Sequence, residues 1–340
     1  MALWLEWQIK VYVLMVSLCV EAWTSAATPP NSTLAVFEQW TARHGRIYVN
    51  NLEKTKRYEI FLKNLHFIED FNKAANRSYT VGLNQFSDLT TEEFHARYNG
   101  LQPMSRSSNS SAATTFEYQN VTQVPDSINW VDKGVVGSIK NQGSCGSCWA
   151  FAAVATVESG LAINGGPMLD LSEQQLVDCS KDNGGCKGGW VEAAFQYIKR
   201  DGITSEQNYL YKGVEGDCNS EATLAHKVTI QGHHNIPVDE HLIEMAVAAQ
   251  PVTANIDTKS VEFRSYSGGV FTGPCGRQNL DHSIVIVGYG RSNSDGLNYW
   301  LIKNSWGEQW AEKGYMRIQR NSGIREGVCG INLAASHPIM

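Results

Sequence analysis

Two cysteines at close spacing form the most informative short segment of this 340-residue sequence. They lie in Gln142-Gly143-Ser144-Cys145-Gly146-Ser147-Cys148-Trp149, and the pattern of small and apolar residues after Trp149 is helical. Cys148 is therefore predicted to begin a helix, where the helix dipole and the free N–H groups favour a thiolate. Because a thiolate attacks a carbonyl carbon far better than a thiol does, this placement predicts an activated nucleophile.

Two other uses of a Cys-x-x-Cys pair stay open at this point. Redox pairs of this kind usually lie in a βαβ unit, which the pattern around Cys145 and Cys148 does not predict. A structural zinc site needs a second close pair of ligands, whereas the next cysteines, Cys179 and Cys186, are farther apart. We therefore expect no metal and no other cofactor, and a nucleophile remains the preferred interpretation.

A nucleophilic cysteine needs a base, and two residues far downstream are candidates for assisting it. His282 opens an apolar run that is typical of a strand, and Asn304 follows a second strand-like run that ends at Lys303. An imidazole can accept the thiol proton, and an amide can orient the imidazole. Each residue alone would more often be structural, and the spacing by itself does not assign either of them a catalytic role.

These segments resemble the active-site motifs of papain-like cysteine peptidases. The resemblance implies that Cys148 is the nucleophile, that His282 is its base, and that Asn304 orients His282. It implies hydrolysis of peptide bonds through a thioacyl-enzyme, with Gln142 and the Cys148 backbone N–H stabilising the oxyanion. Trp306 would shield the bond between His282 and Asn304 from water.

The same resemblance implies substrate-binding residues and a disulfide pattern. The pocket for the second residue before the scissile bond would be formed by Trp190, Val191, Asn255, Leu280 and Ala334. Trp190 and Asn255 differ from the residues that are common in the family, so we expect a narrower and partly polar pocket. The implied disulfides are Cys145–Cys186, Cys179–Cys218 and Cys275–Cys329, which would leave Cys148 as the free thiol.

The N-terminal segment predicts export from the cytosol. An apolar stretch from Val11 to Val20 is followed by small residues, which is typical of a secretory signal peptide cut near Ala26. Loss of Cys19 with this peptide would leave seven of the eight cysteines, enough for three disulfides and one odd thiol. Four glycosylation sequons agree with a secretory route, and all precede the compact region: Asn31, Asn76, Asn109 and Asn120.

The region after the signal peptide resembles an inhibitory propeptide. Residues 34 to 75 are predicted to be mainly helical. The residues at helical spacing from Glu53 to Asn72 share one face and resemble the family's propeptide motif. The following segment, 82 to 88, could form a short strand. Residues 101 to 114 are rich in Ser, Asn, Ala and Thr, a composition typical of a connection open to proteolysis. Acid would weaken inhibition by protonating paired carboxylates, with Asp88 as the candidate.

We therefore predict a signal peptide at 1–26, a propeptide at 27–123 and a peptidase domain at 124–340. Helical patterns followed by strand-like patterns predict an α+β, two-lobed papain-like fold for the last region. Three residues differ from those that are common at these positions in the family, and none is among the predicted catalytic groups: Ala152, Leu210 and Ala311.

Composition excludes some partners and the resemblance implies others. A formal net charge of −6 argues against nucleic acid, and without an apolar run of about eighteen residues we expect no membrane span. Protein and peptide substrates, the chain's own propeptide and cystatin-type inhibitors are the expected partners of a monomer. Its destination would be the vacuole or lysosome, or the extracellular space. The rival functions are a catalytically silent storage protein, a thiol-dependent acyltransferase and an exopeptidase.

Overall fold

The computed structural model describes residues 32–101, 118, 123–225 and 227–340. The predicted signal peptide, most of the predicted connector and the sequons at Asn31, Asn109 and Asn120 lie outside these residues. The fourth sequon residue, Asn76, is exposed. The chain divides into two compact units, Met1–Leu62 and Lys63–Met340.

The described part of the first unit is helical, as the sequence predicts. Helix α1 spans Thr33–Arg43, and its first turn is capped by the Ser32 hydroxyl, which accepts from the Ala35 N–H at 3.3 Å. Helix α2 spans Asn51–Lys73 and begins in this unit. Phe37 packs against Phe61 with ring centroids 5.2 Å apart, so aromatic contacts join the two helices.

The second unit opens with the remainder of the propeptide region. Strand β1 spans Tyr79–Val81, and helix α3 spans Thr91–Tyr98. A capping box between Thr90 and Glu93 fixes the start of α3, because each side chain accepts from the other residue's backbone N–H.

The strand predicted for residues 82–88 is wrong, because this segment is a turn. The Asn84 side-chain oxygen accepts from the Phe86 N–H at 2.9 Å, and the Ser87 hydroxyl accepts from the Asn84 N–H at 3.0 Å. These local side-chain bonds occupy backbone groups that a strand would pair with a neighbour.

Helices dominate the first half of the peptidase region, as predicted. Helix α4 spans Cys148–Ile163, α5 spans Glu173–Cys179 and α6 spans Val191–Asp201. Two further α-helices follow among the later strands, α7 at Glu240–Ala249 and α8 at Val261–Ser265. Buried α4 is apolar over most of its surface, and α6 packs against it.

Strands dominate the second half and form one mixed sheet with β1. The remaining strands are β2 Ile128–Asn129, β3 Gly232–Ile236, β4 Val252–Ile256, β5 Tyr266–Phe271, β6 His282–Arg291, β7 Asn298–Lys303, β8 Tyr315–Gln319 and β9 Ala335–Ile339. Their order is β1-β5-β8-β7-β6-β4-β9-β3, with β2 paired to β6. The antiparallel pair β6 and β7 brings His282 and Asn304 to the same end of the sheet.

Two hydrophobic clusters form the core of the second unit in its described residues. One is centred on the sheet and includes Trp300, Trp306 and Trp310, whereas the other is centred on α4 and α6. The two clusters agree with the two lobes expected from the sequence. None of the helices in the described residues is long and apolar enough to cross a membrane.

Candidate active site

Cys148 is the first residue of α4, as the sequence predicts. The Ser147 hydroxyl does not cap this helix, since it hydrogen bonds instead to the Tyr211 hydroxyl at 2.7 Å. The N–H groups of the first turn therefore lie near the Cys148 thiol, where the helix dipole favours negative charge. Among the described cysteines, Cys148 alone is outside a disulfide, and it is buried.

The other described cysteines form the three disulfides implied by the resemblance. They are Cys145–Cys186, Cys179–Cys218 and Cys275–Cys329, and they link residues 41, 39 and 54 positions apart. Because Cys145 is bonded to Cys186, it does not act as a redox or zinc partner of Cys148 in this state. The first bridge also fixes the turn that precedes α4.

His282 and Asn304 form a close and buried pair. His282 Nε2 lies 2.8 Å from Asn304 Oδ1, which also accepts from the Ser305 N–H at 2.8 Å. The Trp306 ring lies over His282 with centroids 4.6 Å apart, and all three side chains are buried. Water is therefore excluded from the bond that orients the imidazole.

The thiol of Cys148 lies at the start of β6, beside this pair. It contacts the Ser283 backbone, one residue after His282, and also the backbone of Gly100. The other ring nitrogen, His282 Nδ1, is buried and has no hydrogen-bond partner in the described part of the chain. The pair bond at Nε2 thus leaves Nδ1 as the nitrogen that could exchange a proton with a thiol.

Burial keeps both groups uncharged in this form of the protein. It raises the pKa of the Cys148 thiol to about 11, against the hydrogen bonds from Ser283 and Gly100. Burial also lowers the pKa of His282 to about 4, and the hydrogen bond to Asn304 opposes this only in part. Both shifts favour the neutral thiol and the neutral imidazole over the thiolate and the imidazolium while the site is covered.

Residues 98 to 101 cover the site. Gln142 Nε2 donates to the Cys145 carbonyl at 2.8 Å and to the Tyr98 carbonyl at 3.0 Å. The Gly189 N–H donates to the Gly100 carbonyl at 2.8 Å, and the Leu101 N–H donates to the Asp281 carbonyl at 3.2 Å. A carbonyl of the propeptide region therefore accepts from the amide that the sequence predicts as an oxyanion donor.

The close approach at Gly100 depends on the absence of a side chain. A Cβ built on Gly100 would lie 1.9 Å from the Gly146 carbonyl oxygen, far inside van der Waals contact. The Gly146 N–H is bonded to the Cys186 carbonyl at 2.9 Å, so this backbone is anchored by the neighbouring loop. Glycine is thus required where the covering segment passes the turn before Cys148.

The structure brings part of the predicted substrate pocket together. The Asn255 N–H donates to the Ala334 carbonyl at 2.9 Å, and Asn255 Oδ1 accepts from the Ser283 hydroxyl at 2.7 Å. Val191 is buried in the other cluster as the first residue of α6, next to half-buried Trp190. Leu280 is half-buried and reaches the position where Gly330 would carry a Cβ.

A small cavity next to Asn304 is lined by three charged side chains that the sequence analysis did not identify, those of Lys140, Glu158 and Glu173. It measures about 20 Å³, enough for roughly one water molecule, and is bordered by Ser283, Asn304 and Ser305. On its far wall Lys140 Nζ lies 2.8 Å from Glu173 Oε1 and 3.3 Å from Glu158 Oε1. Burial raises the pKa of Glu173, although the Lys140 charge opposes the shift.

Comparison with known proteins agrees with this geometry. Residues 124–339 match the papain family of cysteine proteases, and residues 37–94 match the cathepsin propeptide inhibitor domain. The chain belongs to the papain family. It is a cysteine endopeptidase made as a zymogen, which confirms the family, the enzyme class and the propeptide predicted from the sequence.

Several plant members of the papain family are similar to this chain over most of its length. The senescence-specific cysteine protease SAG12 of Arabidopsis thaliana is 45% identical over 307 residues, 88% of each chain. Fruit bromelain of Ananas comosus is 41% identical over 340 residues, 98% of this chain and 95% of the relative.

Solved precursors of papain-family enzymes have the same fold. The proform of the Amb a 11 cysteine protease, a ragweed pollen allergen, superposes with a TM-score of 0.84 at 39% identity, covering 91% of this chain and 94% of the other. The recombinant stem bromelain precursor superposes with a TM-score of 0.83 at 41% identity, covering 91% and 99%. The predicted α+β papain-like fold is confirmed.

Proposed function

We propose that Cys148 attacks the peptide carbonyl, with His282 as its base and Asn304 as the residue that orients His282. The observation that supports this most is the 2.8 Å bond between His282 Nε2 and Asn304 Oδ1, which leaves Nδ1 for the thiol proton. Once the cleft is open to water, the helix N-terminus and the imidazolium both stabilise the thiolate. The C–S bond then forms as the carbonyl oxygen becomes an oxyanion.

The remaining steps use the same few groups. Gln142 Nε2 and the Cys148 N–H donate to the oxyanion, and each such donor contributes about 2.7–4 kcal/mol. His282 gives its proton to the leaving amine, which departs and leaves a thioacyl-enzyme. Water, activated by His282, then hydrolyses the thioester and regenerates the thiol. An acyltransferase would use an amine at this last step, and no described residue near Cys148 favours that choice.

We also propose the limits and route of the precursor. Residues 1–26 would direct the chain into the secretory pathway, 27–123 would inhibit, and 124–340 would be the mature, monomeric enzyme. Sugars at Asn31, Asn76, Asn109 and Asn120 would then be lost with the propeptide. The destination is a vacuole or lysosome, or the extracellular space, where cystatin-type proteins would be its inhibitors.

Acid is the proposed trigger of activation. Asp88 is the candidate carboxylate, and it is buried in the turn before α3. Replacement by Asn removes its negative charge at neutral pH. The Asp88→Asn precursor should therefore process faster than the wild type at pH 7, when both are followed by gel electrophoresis.

The experiment that tests the proposed function compares peptide hydrolysis by wild-type and variant chains after identical acid treatment. A mixture of internally quenched peptides reports cleavage without assuming a sequence preference. We expect Cys148→Ala to lower kcat/KM by at least about 10³-fold and Asn304→Ala to lower kcat more than it raises KM. Undiminished hydrolysis by Cys148→Ala would exclude Cys148 as the nucleophile.

A further inference from the structure

Among the described residues, the guanidinium of buried Arg264 is hydrogen bonded only by the propeptide region. Its Nη1 donates to the Leu89 carbonyl at 3.1 Å, and its Nη2 donates to Asn64 Oδ1 at 3.0 Å. The guanidinium carbon also lies 5.8 Å from the centre of the Phe94 ring. Because these three residues precede residue 124, every one of these contacts is lost when the propeptide leaves.

No carboxylate forms an ion pair with Arg264 within the described ranges. Two other buried or half-buried arginines of the same region do have such partners, Arg317 with Glu312 and Arg320 with Glu244, each at 2.5 Å. Burial lowers the pKa of Arg264 to about 10, and the charge of Glu92, which also belongs to the propeptide region, opposes this shift only in part. Removal of the propeptide therefore exposes a cation that is not paired within the enzyme.

Arg264 lies on the same wall of the cleft as His282. Its backbone carbonyl accepts from Trp310 Nε1 at 3.0 Å, and the Trp310 and Trp306 rings are 4.9 Å apart. Trp306 in turn lies over His282, while Phe94 covers Trp306 from the propeptide side at 5.1 Å. When Phe94 departs, Trp306 loses this cover, and Trp310 connects Trp306 to the backbone of Arg264.

The proposed mechanism determines which substrate residues lie against the cleft wall that contains His282 and Arg264. In the proposed mechanism His282 protonates the leaving amine, so the residues after the scissile bond must extend past His282 and Trp306. We propose that Arg264 binds an acidic side chain at the first or second of these residues and thereby selects Asp or Glu there. The inference rests on the proposed function, because it needs His282 to be the proton donor.

The chemistry of the pair supports selection by charge. A guanidinium forms bidentate hydrogen bonds with a carboxylate, and its planar fork loses less freedom on binding than a flexible amine would. Neither Asp281 nor Asp257 forms an ion pair with Arg264 among the described residues. Asp281 accepts from the Thr258 N–H at 2.9 Å, and Asp257 accepts from the Lys259 N–H at 3.1 Å.

The test uses acid-activated enzyme and pairs of internally quenched peptides that differ only in Glu against Gln after the scissile bond. The substituted position is first, second or third, and the active-site concentration is titrated with an epoxide that alkylates the thiol. For the wild type we expect kcat/KM about five- to twentyfold higher with Glu than with Gln at the first or second position. Added salt should reduce this ratio.

Variants assign the preference to Arg264. In Arg264→Gln, the ratio of kcat/KM for the Glu peptide to kcat/KM for the Gln peptide should fall close to one, and Arg264→Lys should retain part of the wild-type ratio. Arg264→Glu should hydrolyse a peptide with Lys at that position faster than the peptide with Glu. The control Arg200→Gln removes an exposed cation on α6 and should keep the wild-type ratio.

Each outcome decides between distinct explanations. A wild-type ratio near one, with rapid hydrolysis, would overturn the inference and leave Arg264 as an anchor for the propeptide only. A wild-type preference that persists in Arg264→Gln would place the selecting cation elsewhere. If the wild type cleaves none of the peptides, the proposed function itself fails. The wild-type ratio of kcat/KM for the Glu peptide to that for the Gln peptide can reject the inference even if a variant fails to fold.

Discussion

Cys148 and His282 are neutral in the covered form of the site, and this has a measurable consequence. With the pKa of the thiol near 11, the thiolate fraction at pH 7 is on the order of 10⁻⁴. His282, with a pKa near 4, carries no proton at that pH to stabilise it. Uncovering the cleft returns water to both groups and permits the ion pair.

We therefore expect Cys148 to react with iodoacetamide at least about 100-fold faster in activated enzyme than in intact precursor at pH 7. In the precursor the rate should rise with pH up to about 11, because deprotonation of the thiol is then limiting. Mass measurement of the intact chain selects unprocessed molecules. Label on a cysteine other than Cys148 would contradict the disulfide pattern, and equal rates would contradict the role of burial.

Asn255 is expected to influence which substrate residue the enzyme prefers at the second position before the scissile bond. Its Oδ1 is bonded to Ser283, but its Nδ2 has no hydrogen-bond partner among the described residues. Covering such a donor with an apolar group costs about 1–3 kcal/mol.

Half-buried Trp190 would narrow the same pocket. We expect Val or Pro to compete well with Leu, Phe to be poor, and Arg not to be favoured, as measured by kcat/KM for peptides that vary only there. A clear preference for Phe or Arg over Val would exclude this pocket. The matched variant Asn255→Ala should improve hydrolysis of the Leu peptide relative to the Val peptide.

At the scale of elements, residues 98–101 form hydrogen bonds along the cleft and block it. The contact depends on Gly100, since a Cβ there would lie 1.9 Å from the Gly146 carbonyl oxygen. This oxygen is a backbone atom, so the clash is relieved only by a shift of the backbone. Overpacking of this kind costs about 1–3 kcal/mol. The covering segment would therefore leave the cleft more often.

Gly100→Ala should accelerate self-processing at a given acid pH by about tenfold, followed as loss of full-length chain. The control Gly232→Ala introduces the same methyl group on β3, where its nearest neighbour is Ile339 at 3.6 Å. This control should process at the wild-type rate. Unchanged processing of Gly100→Ala would show that the segment does not limit access.

The elements also show why sequence predicts some parts of the site and not others. Cys148, His282 and Asn304 stand at a helix start, a strand start and a strand end, which local patterns indicate well. The turn at 82–88 was mistaken for a strand because the hydrogen bonds of the Asn84 side chain cannot be read from alternation of apolar residues. Arg264 was missed because its partners, Asn64 and Leu89, are remote in sequence, and a lone arginine in a short helix gives no local signal.

At the scale of the whole molecule, one chain contains both an endopeptidase and the segment that covers its active site. Tyr98 contacts the predicted oxyanion donor, Gly100 contacts the thiol, and Phe94 covers Trp306. We therefore expect catalysis by the mature region and release of the propeptide region to be linked through cleavage of the predicted connection by the enzyme itself.

Acid processing of the wild-type and Cys148→Ala precursors tests this linkage most directly. Both chains are purified by the same route, incubated at acid pH and at pH 7, and analysed by N-terminal sequencing of the products. The wild type should shorten to about residue 124 at acid pH, whereas Cys148→Ala should stay full length, and added mature enzyme should convert it. Equal shortening of both precursors without added enzyme would contradict self-processing by Cys148.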